Sequence, residues 1–377
     1  MEMERVARAW AETGQLANPY ILPTGPTAHV LPVYPVVLGT IYRICGTGHA
    51  GQAAQGLFSA VLAALRCALI LPLALFLGFD RASAALAAAL GVLYIPAFAT
   101  ELRGGWEAPL AALLLMALVY AFVRRIRQDT LSLKEAGVCG VLTALCWLTS
   151  AALIPVAAGY AAITAFTARA RLRQRASWIA VYAITTILFV LPWGIRNEAR
   201  LGRFILLRSN LGLEVWMAYH AGASAGALDP VNNLHPAVNL QQARRVQRLG
   251  EIRFNQEVLA ESLKWIQADP LQAAKLTLLH FTYFWLPPAQ TLLVRLLRVS
   301  LTLLAWAGCW MLWRTRHPAF LPVLTIWLTF PLIYIIVYWS SRYRYPIEWT
   351  LLLCAAFFIA HSARAVLRRV PFDRDHF

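Results

Sequence analysis

The chain carries only 18 acidic residues among 377, so the places where they stand are informative. Glu2 and Glu4 open it in MEMERVARAWAETG, and Glu107 sits in GGWEAPLAAL. Near the other end, SRYRYPIEW alternates Arg342 and Arg344 with Tyr343 and Tyr345. A carboxylate held in reach of a reacting group can take or give a proton, provided it is oriented and partly shielded. Guanidinium groups grip phosphate oxygens bidentately and stabilise negative charge as it develops. Each group also has a plainer reading. Acidic residues favour the first turn of a helix, which fits Glu2, Glu4 and Glu107. Arginines at the ends of apolar helices snorkel towards the interface. Glu251, in LGEIRFNQE, reads as a charge on a solvated helix face.

The opening carboxylates ride on an amphipathic helix. Met3, Val6, Ala7, Trp10 and Ala11 recur at i, i+3, i+4, i+7 and i+8, one helical face. Gly14 stands where a left-handed C-cap residue would end it. The following NPYILPTGPTAHVLPVYP holds prolines at 19, 23, 26, 32 and 35, and includes His29 and Tyr34. Such a segment cannot cross a bilayer as a helix. So many prolines and glycines read as a built, ordered loop.

What surrounds this segment is very apolar. Hydrophobic residues make up 59% and charged residues 14%, against about 25% charged in soluble domains. With long uncharged runs, the fold class is an all-α polytopic membrane protein of about nine transmembrane helices. Fourteen tryptophans and 13 tyrosines suit two interfacial belts. The net charge of +16 sits largely in short clusters between apolar runs, as topology signals do, so the partners are membrane lipids and not nucleic acid. Five of the six cysteines lie inside apolar segments and Cys45 ends another; no metal spacing appears, so buried thiols are expected and no cofactor is implied. No cleavable signal peptide is visible.

The organisation reads in five parts: an outer-face helix and loop over 1–50, a transmembrane bundle over 51–195, a hydrophilic segment with an interfacial helix over 196–288, C-terminal spans over 289–366, and a cytoplasmic tail over 367–377. Within them, a span is expected over about 84–99, another starts at Glu107, and 139–166 is one apolar run broken at Thr149 and Ser150. The arginine clusters at 124–127, 169–175, 314–316 and 364–369 fall on one side, which makes it cytoplasmic. The amino terminus, the 100–106 loop, the 196–275 segment and the RYRYP loop then share the outer face of the inner membrane. An odd span count puts Met1 outside, so a further helix, or an earlier start codon, is expected upstream.

Three stretches together carry a resemblance. EMERVARAWAETGQLANPY with PTGPTAHVLPVYP resembles the first outer loop of bacterial GT-C-type glycosyltransferases that use lipid-linked sugars: the aminoarabinose-transferase-like, protein-mannosyltransferase-like and rhizobial-lipopolysaccharide-transferase-like families. LPWGIRNEARLGRFILLRSNLGLEVW (191–216) is similar to their PWxxRNxxxxGxFxxxxxNxGxxxW signature, and RYRYPIEW (342–349) to the RYRxPxxP before their last helix.

The resemblance implies a GT-C-like bundle and transfer of a sugar from a polyprenyl-phosphate donor to a lipid, glycan or protein acceptor. It puts Glu2 at the position of the catalytic general base and Glu107 at a second acid that orients the acceptor or a metal. On the same basis Arg342 and Arg344, then Arg196 and His29, would hold the departing phosphate, with Tyr34, Tyr343 and Tyr345 beside the sugar or prenyl chain. Two departures stand out. The helix before the acidic loop is missing, and the acid is Glu where the family has Asp, so Glu4 could compete with Glu2. A flippase for lipid-linked saccharides, or an inactive truncated relative acting as a scaffold, are the alternative readings.

Overall fold

The structure, a computed structural model, describes residues 1–128, 131–167, 171–226, 234–289 and 291–367. The arginines at 169, 368 and 369 and the tail after 367 lie outside the described residues. Among the described residues there is no β-strand, only two isolated bridges.

The first helix, α1 (Glu2–Thr13), buries Met3, Val6, Ala7 and Ala9, and Gly14 closes it at φ 71 with its N–H on the Trp10 carbonyl. Its apolar face packs on α2 (Val33–Cys45) through Val6, Ala7, Tyr34, Leu38 and Tyr42. Gly39 permits this approach, because a Cβ there would lie 2.8 Å from both the Ala7 carbonyl oxygen and the Trp10 ring. The loop between them is ordered, as its prolines implied. Asn18, at φ 57, accepts the Thr24 and Gly25 N–H groups on its side chain, and Val33 N–H reaches the Leu148 carbonyl.

Then follow α3 (His49–Leu77), α4 (Arg81–Leu93), α5 (Ile95–Arg103), α6 (Ala108–Ile126), α7 (Leu133–Trp147), α8 (Leu153–Thr167) and α9 (Leu172–Leu201). The span expected over 84–99 is in fact two helices. Pro96 has no N–H to bond the Val92 carbonyl and its ring would meet that group in a continuous helix, and the chain breaks at Tyr94. The run over 139–166 does break near Thr149 and Ser150, between α7 and α8. The hydrophilic segment forms α10 (Leu211–Ala218), α11 (Leu240–Leu249), α12 (Glu251–Ala268) and α13 (Pro270–Trp285), with α11 and α12 parted at Gly250, φ 78. The chain ends with α14 (Leu292–Arg314), α15 (Phe320–Thr329), α16 (Leu332–Ile335), two 3-10 turns at Ser341–Tyr343 and Tyr345–Ile347, and α17 (Glu348–Leu367).

Five helical segments are long and apolar enough to cross a membrane: those over 49–77, 108–126, 172–201, 292–314 and 341–367. Shorter apolar helices stand at 33–45, 81–93, 153–167 and 320–335. Every residue from Glu348 to Phe357 is buried, so α17 is enclosed on all sides over its first half. Direction along the bundle sorts the polar ends. The starts of α6, α8 and α17 and the ends of α7 and α9 meet at one end, while Arg124, Arg125, Arg175, Arg314 and Arg364 stand at the opposite end.

Close packing of α14 on α17 depends on Gly308, where a Cβ would come within 1.9 Å of the Cys354 carbonyl oxygen. Backbone cannot yield as a flexible side chain would, so Gly308→Ala should cost at least about 1–3 kcal/mol. The expected result is a clearly lower unfolding temperature in detergent; an unchanged one would contradict the packing described.

Candidate functional site

At the end where α6 and α17 begin lies a cavity of about 250 Å³. Its charged lining comes from four distant segments: Glu2 from α1, Glu107 before α6, Arg208 and Glu214 around the start of α10, and Arg342 before α17.

Glu2 is gripped from both sides. Its Oε2 lies 3.4 Å from His29 Nε2 and its Oε1 lies 3.3 Å from His235 Nε2. The outer nitrogen of each ring is engaged as well. His235 Nδ1 accepts the Ala237 N–H at 3.0 Å, and His29 Nδ1 lies 3.1 Å from the Tyr20 hydroxyl. Burial, then the Glu251 charge, push the Tyr20 hydroxyl up, so it keeps its proton. The Glu2 carboxylate can only accept, so both imidazoles present N–H at Nε2 to it. Burial pushes the Glu2 carboxyl up, but His235, His29 and Arg342 outweigh it and hold it well below the usual range. Burial pushes His235 down against the pull of Glu2, and a neutral imidazole still presents its N–H dipole.

Glu2, His29 and His235 offer ligand atoms within 4.8 Å of one another. A metal ion would need the lone pair at Nε2, with the proton on Nδ1 donated outward. His235 does the reverse, since its Nδ1 is an acceptor for backbone N–H. The donor set therefore fits a carboxylate held by two N–H donors better than it fits a cation.

Glu107 lives differently. It makes no ion pair among the described residues, and its Oε2 is buried with no hydrogen-bond partner. Burial pushes its carboxyl up, against the Arg342 and Arg208 guanidiniums. Arg342 lies flat on aromatic faces, 3.4 Å from the Trp106 ring centroid and 5.2 Å from that of Tyr343. Tyr343 in turn stacks on Tyr334 at 4.4 Å and 18°.

The RYRY run divides. Arg342 and Tyr343 line the cavity, whereas Arg344 and Tyr345 do not, which corrects their grouping as one substrate-binding set. Arg344 is buried against Glu348 and hydrogen-bonds the Trp285 carbonyl, Thr302 and the Tyr94 hydroxyl. Tyr345 donates its hydroxyl to Glu101, which also pairs with buried Arg66 at 3.0 Å.

Arg196 is likewise away from the cavity. It donates 2.7 Å bonds to the Thr27 and Leu16 carbonyls and so braces the proline-rich loop. Tyr34 is buried between α1 and α2 and is absent from the cavity wall. Glu4 pairs with Arg8 at 2.9 Å.

Glu251 is the other correction. It is 5% exposed, not solvated, because α12 packs that face on the loop ends. Its carboxylate accepts Thr27 Oγ1, the Ala28 N–H at 2.9 Å and Ser209 Oγ at 2.5 Å. His29 follows Ala28 and Arg208 precedes Ser209, and the two are joined by Arg208 Nε donating to the His29 carbonyl at 2.8 Å. His235, Arg208 and Trp106 carry no local sequence signal; only the fold brings them to Glu2 and Arg342. Glu251→Ala leaves the Thr27, Ala28 and Ser209 donors unpaired, each at about 1–3 kcal/mol. The expected outcome is a marked loss of thermal stability in detergent, and an unchanged melting curve would count against this bracing role.

No family model and no curated protein matches this sequence. Solved structures do. The archaeal oligosaccharyltransferase AglB from Archaeoglobus fulgidus, in complex with an inhibitory peptide and a dolichol-phosphate, superposes with a TM-score of 0.55 at 15% identity, over 98% of this chain and 47% of that one. The Archaeoglobus fulgidus oligosaccharyltransferase tethered to an acceptor peptide containing the NVT sequon gives 0.57 at 15% identity, over 98% and 46%. The chain thus spans less than half the length of the proteins it resembles. At this identity the likeness concerns the fold, and this chain has a GT-C-type helical membrane fold.

Proposed function

We propose that this protein is a membrane glycosyltransferase that moves a sugar from a polyprenyl-phosphate donor to a lipid, glycan or protein acceptor on the outer face of the inner membrane. The observation carrying this reading is the cavity itself, which collects three carboxylates and a ring-mounted guanidinium at one end of an apolar bundle. Solved structures of the same fold were obtained with a dolichol-phosphate and with an acceptor peptide, which supports a lipid-phosphate donor side and a separate acceptor side. The arginine clusters at the opposite end support an outward-facing site.

In this reading the acceptor heteroatom attacks the anomeric carbon, the bond from that carbon to the phosphate oxygen breaks, and its electron pair leaves on the polyprenyl phosphate. Arg342 binds the phosphate oxygens as that charge develops, held flat by Trp106 and Tyr343 so that little reorganisation is needed. A cavity carboxylate receives the acceptor proton. Arg208 is a second cation on the same wall, anchored by the His29 carbonyl.

Transfer from a panel of radiolabelled polyprenyl-phosphate sugars in membranes tests this. Arg342→Gln should cost about 100-fold or more in rate with little change in unfolding temperature. Arg344→Gln should do the opposite and lower stability first, because it leaves buried Glu348 unpaired. Equal effects of the two on rate alone would contradict the assignment.

A further inference from the structure

Of the three carboxylates on the cavity wall, Glu214 faces Arg208 at 3.9 Å and accepts the Asn210 amide at 2.7 Å; the other two are not equivalent, and their geometry distributes the work. Each Glu2 oxygen already faces an imidazole N–H, and Ala237 and Tyr20 hold the rings from behind. A proton arriving on Glu2 would cancel the charge that strengthens both of these hydrogen bonds. Glu107 has the complementary deficiency: it lines the same cavity, pairs with no cation among the described residues, and keeps Oε2 buried without a donor.

On the reading proposed above, we infer that Glu107 and not Glu2 is the proton acceptor of the transfer step, with Glu2 a permanently ionised carboxylate. The acceptor O–H or N–H gives its proton to the Glu107 carboxylate as its lone pair bonds the anomeric carbon, and the phosphate departs with the electrons of the broken bond. Glu2, held anionic by its two histidines, stabilises the positive charge that gathers on the sugar in such a transition state. A proton acceptor works best when its own basicity is raised towards the working pH, and burial acts on Glu107 in that direction. The groups facing Glu107 are Arg342 before α17, Arg208 before α10, Glu2 on α1, Tyr34 on α2 and Tyr334 on α16.

The test uses the purified full chain in lipid nanodiscs, as wild type, Glu107→Gln and Glu2→Gln. Rates with a panel of synthetic polyprenyl-phosphate sugars are measured across pH, beside infrared spectra of the protonated carboxyl band. The rate should fall at acid pH as Glu107 gains its proton, above the ordinary glutamate value of about 4.3. Glu107→Gln should cost about 100-fold or more in kcat and abolish that acidic limb, and the carboxyl band titrating with it should vanish. Glu2→Gln should lower the rate but keep both limb and band. An acidic limb that survives in Glu107→Gln and disappears in Glu2→Gln overturns the assignment while leaving the transferase reading intact. A wild type that turns over no donor in the panel overturns the transferase reading and this role together, and the infrared band tells that failure from a misassigned carboxylate.

Discussion

An irregular loop at the end of a membrane bundle must satisfy its backbone polar groups without a helix of its own. Residues 14–32 meet that demand with side chains from far along the chain. Arg196 takes the Leu16 and Thr27 carbonyls, Glu251 takes the Ala28 N–H, and Arg208 takes the His29 carbonyl. These bonds do more than satisfy the loop. They fix where His29 stands, and so where the Glu2 carboxylate can be held. They also bring the start of α10, with Arg208 and Glu214, to the cavity wall. The geometry at the cavity follows from this bracing, together with the packing of α1 on α2.

The turn before α17 serves two regions at once. Arg342 and Tyr343 go to the cavity, and Arg344 and Tyr345 go into the bundle. The inward pair joins a buried polar network with Glu348, Glu101 and Arg66 that ties α17, α5 and α3 together. Buried ion pairs contribute little net stability, but losing one partner is costly, so such a network gives a defined geometry to the helix starts around the site. The cavity arginine is thereby mounted on a rigid support and its charge remains free of any carboxylate partner among the described residues.

Two glutamates within one cavity meet opposite surroundings. Glu2 has two N–H donors and nearby positive charge, and Glu107 has burial with an oxygen left unpartnered. Divergence of this kind separates a fixed charge from a proton-transfer group in many active sites. The same fold without either histidine would leave the two acids alike.

The class of this protein was legible in its composition, because long uncharged runs have few ways to be satisfied in water. So were α1 with its Gly14 cap, the ordered proline loop, and the break at Thr149 and Ser150, since each is set by local backbone preference. Glu2, Glu107, Arg342 and Tyr343 could be picked out by type and position, and they do line one cavity. What local pattern could not decide was partnership. Pro96 splits a span that hydropathy alone runs together. Glu251 has the surroundings of a surface charge in sequence and is buried because α12 packs on two loops that precede it by 42 and 223 residues. His235 reaches Glu2 across more than 200 residues, and Arg344 turns inward to Glu348 and Thr302. Such contacts arise from packing between distant segments, which residue type and spacing do not encode.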